Sequence, residues 1–437
     1  MPTGQLEKGK INIYLKVFLG IYLFTVISGG LRKWFFSSKE LDNFVLFLQI
    51  IIPYSLLIIK GGIKRWKVGV GVFSFLCFVF FVGILNPLRP SIYHGLLGAL
   101  LHGSLAFIIF FYINNRSYFK FELILDWLVY LGFLQLALAF FQYSQPPDSL
   151  INTYADVEAV GSIATVGNSA RVTGTFSYIS GFTAFLFFHS FLVWAMFKYK
   201  YKSIYTIILL LMGMVACFMS GARSATYLYL ILFLIICFNE YKALRKTVLD
   251  FKLILPILMI VTFLVGYGFD KIRYLVENAF IGFAERRDRG IQTGEESFRI
   301  FGDLNEVLNF RGNYPIIGVG LGSTYQGANK LFGTSPYVLE YGFFESELTR
   351  VILEGGYLLL ITRAFVIVYL IKQLLIPVNA KIVIVIVLFF FYSSIFNIYN
   401  AVFAAIGIIL IDYFYYREMT LSQMSRLKYN KVRNRLN

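Results

Sequence analysis

Runs of about twenty apolar residues recur from one end of this chain to the other. That pattern constrains the fold more than any motif does, because a helix crossing a bilayer needs about 20 apolar residues to span about 30 Å of hydrocarbon. The composition agrees. The 437 residues are 58% hydrophobic and 19% aromatic, and only 15% are charged, against about 25% charged in an ordinary soluble domain. The sequence therefore predicts an all-α polytopic membrane protein. The apolar runs place twelve transmembrane helices at 11–30, 43–60, 67–85, 92–113, 122–143, 177–197, 204–220, 224–239, 251–269, 349–371, 381–397 and 399–416. The first run is too long and too hydrophobic at both ends for a cleaved signal peptide, and no small-residue cleavage site follows it. It is expected to remain in the mature chain.

The formal charge is +16. In a soluble protein such a balance suggests nucleic acid, but here the basic residues fall mostly in short loops on one side of the spans. Lys8, Lys10, Lys60, Lys64, Arg65, Lys67, Arg116, Lys120, Lys198, Lys200, Lys202, Lys242, Arg245, Lys246, Lys372, Lys381 and the 417–437 tail share that side. By the positive-inside rule it is cytoplasmic, and both termini lie there. The partners expected are a lipid bilayer and no nucleic acid. Four regions follow: transmembrane helices 1–9 over 1–269, an external loop region over 270–348, helices 10–12 over 349–416, and a basic cytoplasmic tail over 417–437. Cys77, Cys217, Cys237, His94, His102 and His189 sit singly in apolar runs and read as packing residues, without metal-ligand spacing.

Two longer segments fall outside, at 144–176 and 270–350, and the second is the one long polar interruption of the chain. An amphipathic helix is predicted near 296–310, from Phe298, Phe301, Leu304 and Leu308. External arginines run against the positive-inside bias and so require another reason. Arg32, Arg171, Arg223, Arg311 and Arg350 would suit a lipid-linked phosphate or pyrophosphate, because a guanidinium binds phosphate oxygens in pairs and keeps its charge. The bland reading of each is contact with lipid headgroups.

At the head of span ten, Glu347, Arg350 and Glu354 share one helical face by spacing. Glu347 is expected to pair with Arg350, and Arg363 with a neighbouring helix. Gly318-Val-Gly-Leu-Gly322 has the look of a phosphate loop but lacks the Lys-Ser/Thr that such loops need. Trp34, Phe35, Tyr314, Tyr325, Tyr337 and Tyr341 fit either sugar stacking or an interfacial belt.

The chain resembles the O-antigen polymerase/ligase family of bacterial envelope glycosyltransferases. The resemblance rests on Gly30-Leu-Arg-Lys-Trp34, Arg171-Val-Thr-Gly-Thr-Phe176, Ser220-Gly-Ala-Arg-Ser224, Asn313-Tyr-Pro-Ile-Ile-Gly-Val-Gly-Leu-Gly322, and Glu345-Ser-Glu-Leu-Thr-Arg350 leading to Glu354-Gly-Gly356. It also rests on the large external segment between spans nine and ten. It implies a bacterial inner-membrane enzyme that transfers a glycan from a polyprenyl pyrophosphate carrier to an acceptor hydroxyl, with no metal and no cofactor.

In that scheme Arg223 and Arg311 clamp the pyrophosphate, with Arg171, Arg32 and Arg350 in support. Ligases of the family carry a histidine where Glu345 stands, which favours a polymerase with Glu345 or Glu347 as base. A chain-length regulator is among the partners the resemblance allows. The alternatives are an O-antigen ligase, a transporter or flippase for lipid-linked oligosaccharide, and a non-catalytic export subunit.

Overall fold

The apolar runs are helical in the computed structural model, which describes residues 11–36, 38–62, 66–155, 164–166, 169–239, 277–285, 288, 316–342 and 346–436. In chain order the helices are α1 (Ile13–Gly30), α2 (Lys39–Ile51), α3 (Val70–Ile84), α4 (Ile92–Asn115), α5 (Leu125–Ser144), α6 (Ile179–Tyr199), α7 (Ser203–Ser220) and α8 (Arg223–Asn239). There follow α9 (Gln326–Phe332), α10 (Pro336–Tyr341), α11 (Glu347–Lys372), α12 (Val378–Phe390) and α13 (Ile398–Leu436). A two-residue antiparallel pair, Thr165–Val166 with Ser169–Ala170, is the strand structure among the described residues. Seven described helices are long and apolar enough to cross a membrane: Ile13–Phe35, Lys39–Ile58, Ile92–Tyr118, Leu125–Ser144, Ile179–Tyr199, Glu347–Lys372 and Ile398–Arg426. Val70–Ile84, Ile204–Ser220, Arg223–Ile236 and Val378–Phe390 are apolar but shorter. The predicted span at 251–269 and the amphipathic helix near 296–310 lie outside the described residues.

Several helices start where a polar side chain meets their first free N–H groups. Asn12 accepts from Leu15 N at 3.0 Å, Ser38 from Leu41 N and Ser91 from His94 N, each at 3.3 Å. Such caps satisfy donors that the helix itself leaves open.

The centre of the bundle is α13 packed along α6, with α4 against its side. From Ala401 to Ile411 α13 is buried almost all round, as expected of a helix that is apolar on every face. Small residues allow the close approach, since lipid tails are no less apolar than leucine and packing must supply the attraction. At Gly407 a Cβ would stand 2.7 Å from the Phe191 ring.

Polar segments gather at the two ends of this bundle. One end, here the basic end, collects Arg116 on Asp412 (3.0 Å) and on the Gln373 carbonyl (3.1 Å), Lys198 on Glu418 (2.5 Å), and Tyr413 on Glu122. The opposite, loop end collects residues 31–36, 38–42, 86–94, 169–178, 219–223, 316–342 and 393–399. It is tied by Asn86 to the Gly318 carbonyl (2.9 Å), Tyr337 to the Leu88 carbonyl (2.9 Å) and His94 to the Gly333 carbonyl (3.0 Å). Residues 417–436 continue α13 as helix.

Gly407→Leu should overfill the α6–α13 contact and lower the thermal stability of the detergent-purified protein by about 1–3 kcal/mol. Gly20→Leu, where a Cβ meets nothing within 4 Å, should leave the melting temperature unchanged. Equal melting of the two variants would remove that close contact from the account.

Candidate functional site

The 26-residue helix α11 is not one straight rod. Gly356 has φ 63° and ψ −165°, a region open to glycine almost alone. The two arms on either side fold back on each other. Glu347 lies on the first arm and Arg363 on the second, 16 residues on, which in a straight helix would set them about 24 Å apart. Instead Arg363 Nη2 stands 2.6 Å from Glu347 Oε1, and Arg363 Nε donates to the same oxygen at 2.7 Å. The Glu347 carboxylate also accepts from the Ser394 and Ile395 backbone N–H groups.

A break leaves backbone groups without helical partners, and the 316–324 segment supplies them. Val319 N donates to the Leu353 carbonyl at 2.8 Å and Gly320 N to the Glu354 carbonyl at 3.0 Å. Leu358 N, at the head of the second arm, donates to the Ile316 carbonyl at 3.1 Å. The glycines are needed for this fit. Gly318, Gly320 and Gly322 have φ of 63°, 105° and 73°, and a Cβ on Gly318 would stand 2.6 Å from the backbone of Glu354.

The same loop seats the Glu354 side chain, which is fully buried. Its carboxylate accepts from Gly322 N at 2.8 Å, from Thr324 N at 3.1 Å, from the Thr324 hydroxyl, and from His102 Nε2 of α4 at 2.9 Å. Arg350 Nη2 lies 3.7 Å away. The anion this glycine loop holds is therefore a carboxylate of the chain itself, cradled by the N–H groups of Gly322 and Thr324.

Beside this knot the loop end accumulates positive charge. Arg32 grips Asp42 with two bonds, Nε to Oδ1 at 2.6 Å and Nη2 to Oδ2 at 3.1 Å, and its Nη1 reaches the Ser177 hydroxyl at 3.1 Å. Lys330 of α9 adds a second cation to Asp42 at 2.6 Å. Lys33 is buried (8% exposed), and its ammonium donates to the Thr173 hydroxyl at 2.7 Å and the Gly174 carbonyl at 3.1 Å, both neutral. Arg171, on the same 169–178 strip, donates from Nε to the Ser220 carbonyl at 2.8 Å. Arg223 follows three residues after Ser220, at the start of α8, half-buried. Arg32 and Lys330 both meet the Asp42 carboxylate, and Lys33 reaches the 169–178 strip that carries Arg171.

The structure thus brings Arg32 and Arg171 onto one strip and sets Arg223 next to it, while Arg311 and Glu345 lie outside the described residues. One expectation needs correction. Glu347 does not pair with Arg350: the fold-back at Gly356 turns it to Arg363, whose carboxylate partner is on its own helix although Nη1 also reaches the His102 carbonyl of α4 at 3.2 Å. Arg350 is buried, at 2% exposed. It donates to Thr324 Oγ1 (3.3 Å) and the carbonyls of Ile395 (3.0 Å) and Phe396 (3.2 Å). Sequence reasoning missed Asp42, Lys330 and Lys33. Only Lys33 carried a local signal, its place beside Arg32 in an external turn.

Removing one partner of a buried ion pair strands the other charge and costs about 3–5 kcal/mol. Arg363→Met and Glu347→Gln should each be strongly destabilised, and the double variant should lose much less than the sum, in a thermal-unfolding cycle on purified protein. Additive losses would mean that the pair does not hold the two arms together.

No protein-family model, no curated protein and no solved structure matches the chain.

Proposed function

We propose that this chain is a polymerase that joins polyprenyl-pyrophosphate-linked oligosaccharide repeat units into a surface polysaccharide on the outer face of a bacterial inner membrane. The observation that carries the reading is Lys33, buried at the loop end beside the Arg32–Asp42 pair and the strip that carries Arg171, with its ammonium on the Thr173 hydroxyl and the Gly174 carbonyl, both neutral. Burying a cation against neutral partners is costly unless an anion is bound there. A pyrophosphate supplies that anion, and its lipid tail suits a protein of apolar helices.

In the proposed reaction an acceptor hydroxyl oxygen attacks the anomeric carbon of the donor glycan. The bond from that carbon to the pyrophosphate oxygen breaks, and polyprenyl pyrophosphate leaves with the electron pair. The acceptor proton passes to a base, for which Glu345 is the proposed residue, since the carboxylates of Asp42, Glu347 and Glu354 are already held by cations or N–H donors. Fixed cations at the leaving group stabilise the charge that develops there. Arg223 and Arg311 are assigned to the same clamp by the family resemblance. The proposal includes twelve spans, both termini in the cytoplasm and the 316–342 segment outside. No metal or cofactor is invoked. An O-antigen ligase would use the same clamp with a different acceptor.

A second reading has an observation of its own. Broken helices with buried charges at the break are a feature of secondary transporters, and α11 with Glu354, His102, Glu347 and Arg363 has that form. It makes the chain a transporter or flippase of lipid-linked oligosaccharide.

Purified protein in liposomes, given lipid-linked repeat units on the loop side alone, separates the two. The polymerase reading expects chains of many repeats; translocated single units without chains would favour the transporter. Arg171→Ala and Arg223→Ala should each cut chain formation by about 10²-fold, the scale of one lost transition-state contact, with unchanged membrane levels. Arg171→Lys should also be impaired, since the paired guanidinium bonds are lost.

The orientation has a separate test. A cysteine at Leu339, 77% exposed, should react with an impermeant thiol reagent in intact cells, and one at Ser422 only after lysis. The reverse pattern would invert the topology.

A further inference from the structure

Between α3 and α4 the chain turns at the loop end through Asn86-Pro-Leu-Arg-Pro90. The turn is closed by its own bonds. Arg89 N donates to the Asn86 carbonyl at 3.2 Å, and Leu88 N donates to the Asn86 side-chain oxygen at 2.9 Å. Pro87 and Pro90 further restrict Asn86 and Arg89, the residues that precede them. Neighbouring segments hold the turn from outside. Asn86 Nδ2 donates to the carbonyls of Ile317 (3.1 Å) and Gly318 (2.9 Å), and Tyr337 donates to the Leu88 carbonyl at 2.9 Å. Gly320 passes so close that a Cβ there would stand 2.7 Å from the Arg89 Cβ.

Arg89 is therefore fixed at its root by the same segment that closes the break in α11. The end of its side chain is held less completely. Nη1 donates back to the Asn86 carbonyl at 2.7 Å, while Nε is buried and meets no acceptor among the described residues. Arg32 shows what that edge of a guanidinium does when it is engaged, since its Nε and Nη2 grip the two oxygens of Asp42. A charged donor shielded from water and left without an acceptor is costly. A fork already fixed at its root loses little freedom on binding. Its planar edge matches a pair of phosphate oxygens, and its charge favours them over a neutral acceptor. A turn joining two apolar helices stands at the depth where lipids carry their phosphates.

We infer that the 86–90 turn is a phosphate-binding site, in which the Nε–Nη2 edge of Arg89 takes two oxygens of a lipid-borne phosphate. It shares no residue with the Lys33 strip and does not depend on the proposed function. A membrane phospholipid and a prenyl carrier both present such oxygens. No bond forms or breaks in the binding step.

Native mass spectrometry of the detergent-purified protein, titrated with lipid, counts what is bound and gives its Kd. Lys33→Met serves as the background, which takes the phosphate proposed above out of the count. Dioctanoyl phosphatidic acid represents the phospholipid and farnesyl pyrophosphate the carrier, with dioctanoylglycerol and farnesol as their uncharged counterparts. The background protein should bind a phosphate compound saturably. Adding Arg89→Gln should weaken that binding about tenfold or more, the scale of one charge-assisted hydrogen bond. Arg89→Lys, which keeps the charge and a donor for the Asn86 carbonyl but loses the fork, should weaken it as well.

Tighter binding of phosphatidic acid assigns the site to a phospholipid headgroup, and tighter binding of farnesyl pyrophosphate assigns it to the carrier; both uphold it. Equal binding with and without Arg89→Gln overturns the inference, as does equal binding of the uncharged compounds. The proposed function is read from a different comparison. If wild type and Lys33→Met bind farnesyl pyrophosphate alike, that function loses the observation that carries it, while the Arg89 site stands on its own titration.

Discussion

A helix that stops inside a membrane must find partners for its last carbonyls and for the first N–H groups of whatever follows, because hydrocarbon supplies none and each orphan costs several kcal/mol. At Gly356 this chain meets that requirement with residues 316–324. Val319 and Gly320 donate to the end of the first arm, and Ile316 accepts from the start of the second. The Glu354 carboxylate then locks the loop by accepting from Gly322 and Thr324, and His102 ties the knot to α4. The rest of the loop end inherits its position from this arrangement. Once residues 316–324 are fixed, α9 follows directly, and Lys330 is delivered to Asp42.

Charge at the loop end is divided into two kinds of arrangement. Glu347 with Arg363, and Glu354 with His102 and Arg350, are closed sets in which each carboxylate meets its donors. Such sets fix geometry more than they add stability. Lys33 is different, since its buried ammonium has neutral partners in Thr173 and Gly174. A buried cation of this kind weakens the empty protein and would be relieved by an anion. Stability given up at a binding site is a common trade, and it is the physical reason for placing the phosphate here rather than at Glu354.

The helical membrane architecture was legible because hydropathy reports apolar length directly. It does not report a reversal within an apolar run: the one mark of it is the Gly355-Gly356 pair, and residues 349–371 read as a single crossing. That is why Glu347 was assigned to Arg350 on one helical face, when the fold-back delivers it to Arg363. The Gly318–Gly322 run was discounted as a phosphate loop for want of the Lys-Ser/Thr, and the anion it meets is Glu354, 32 residues on from Gly322. Arg32 and Arg171 stood out because external arginines run against the charge bias of the loops. Asp42 and Lys330 could not stand out, since they are 288 residues apart and meet only through the tertiary fold.

The central proposal is that Lys33 is buried against neutral partners so that a lipid-linked phosphate can bind at the loop end. It is tested most directly by the melting temperature of wild type and Lys33→Met, each with and without polyprenyl pyrophosphate. The account predicts that Lys33→Met without ligand is at least as stable as wild type, because a buried charge lacking a carboxylate partner has been removed, and that the ligand raises the melting temperature of wild type but not of the variant. A Lys33→Met protein that melts well below wild type yet keeps the full ligand-induced rise would contradict it.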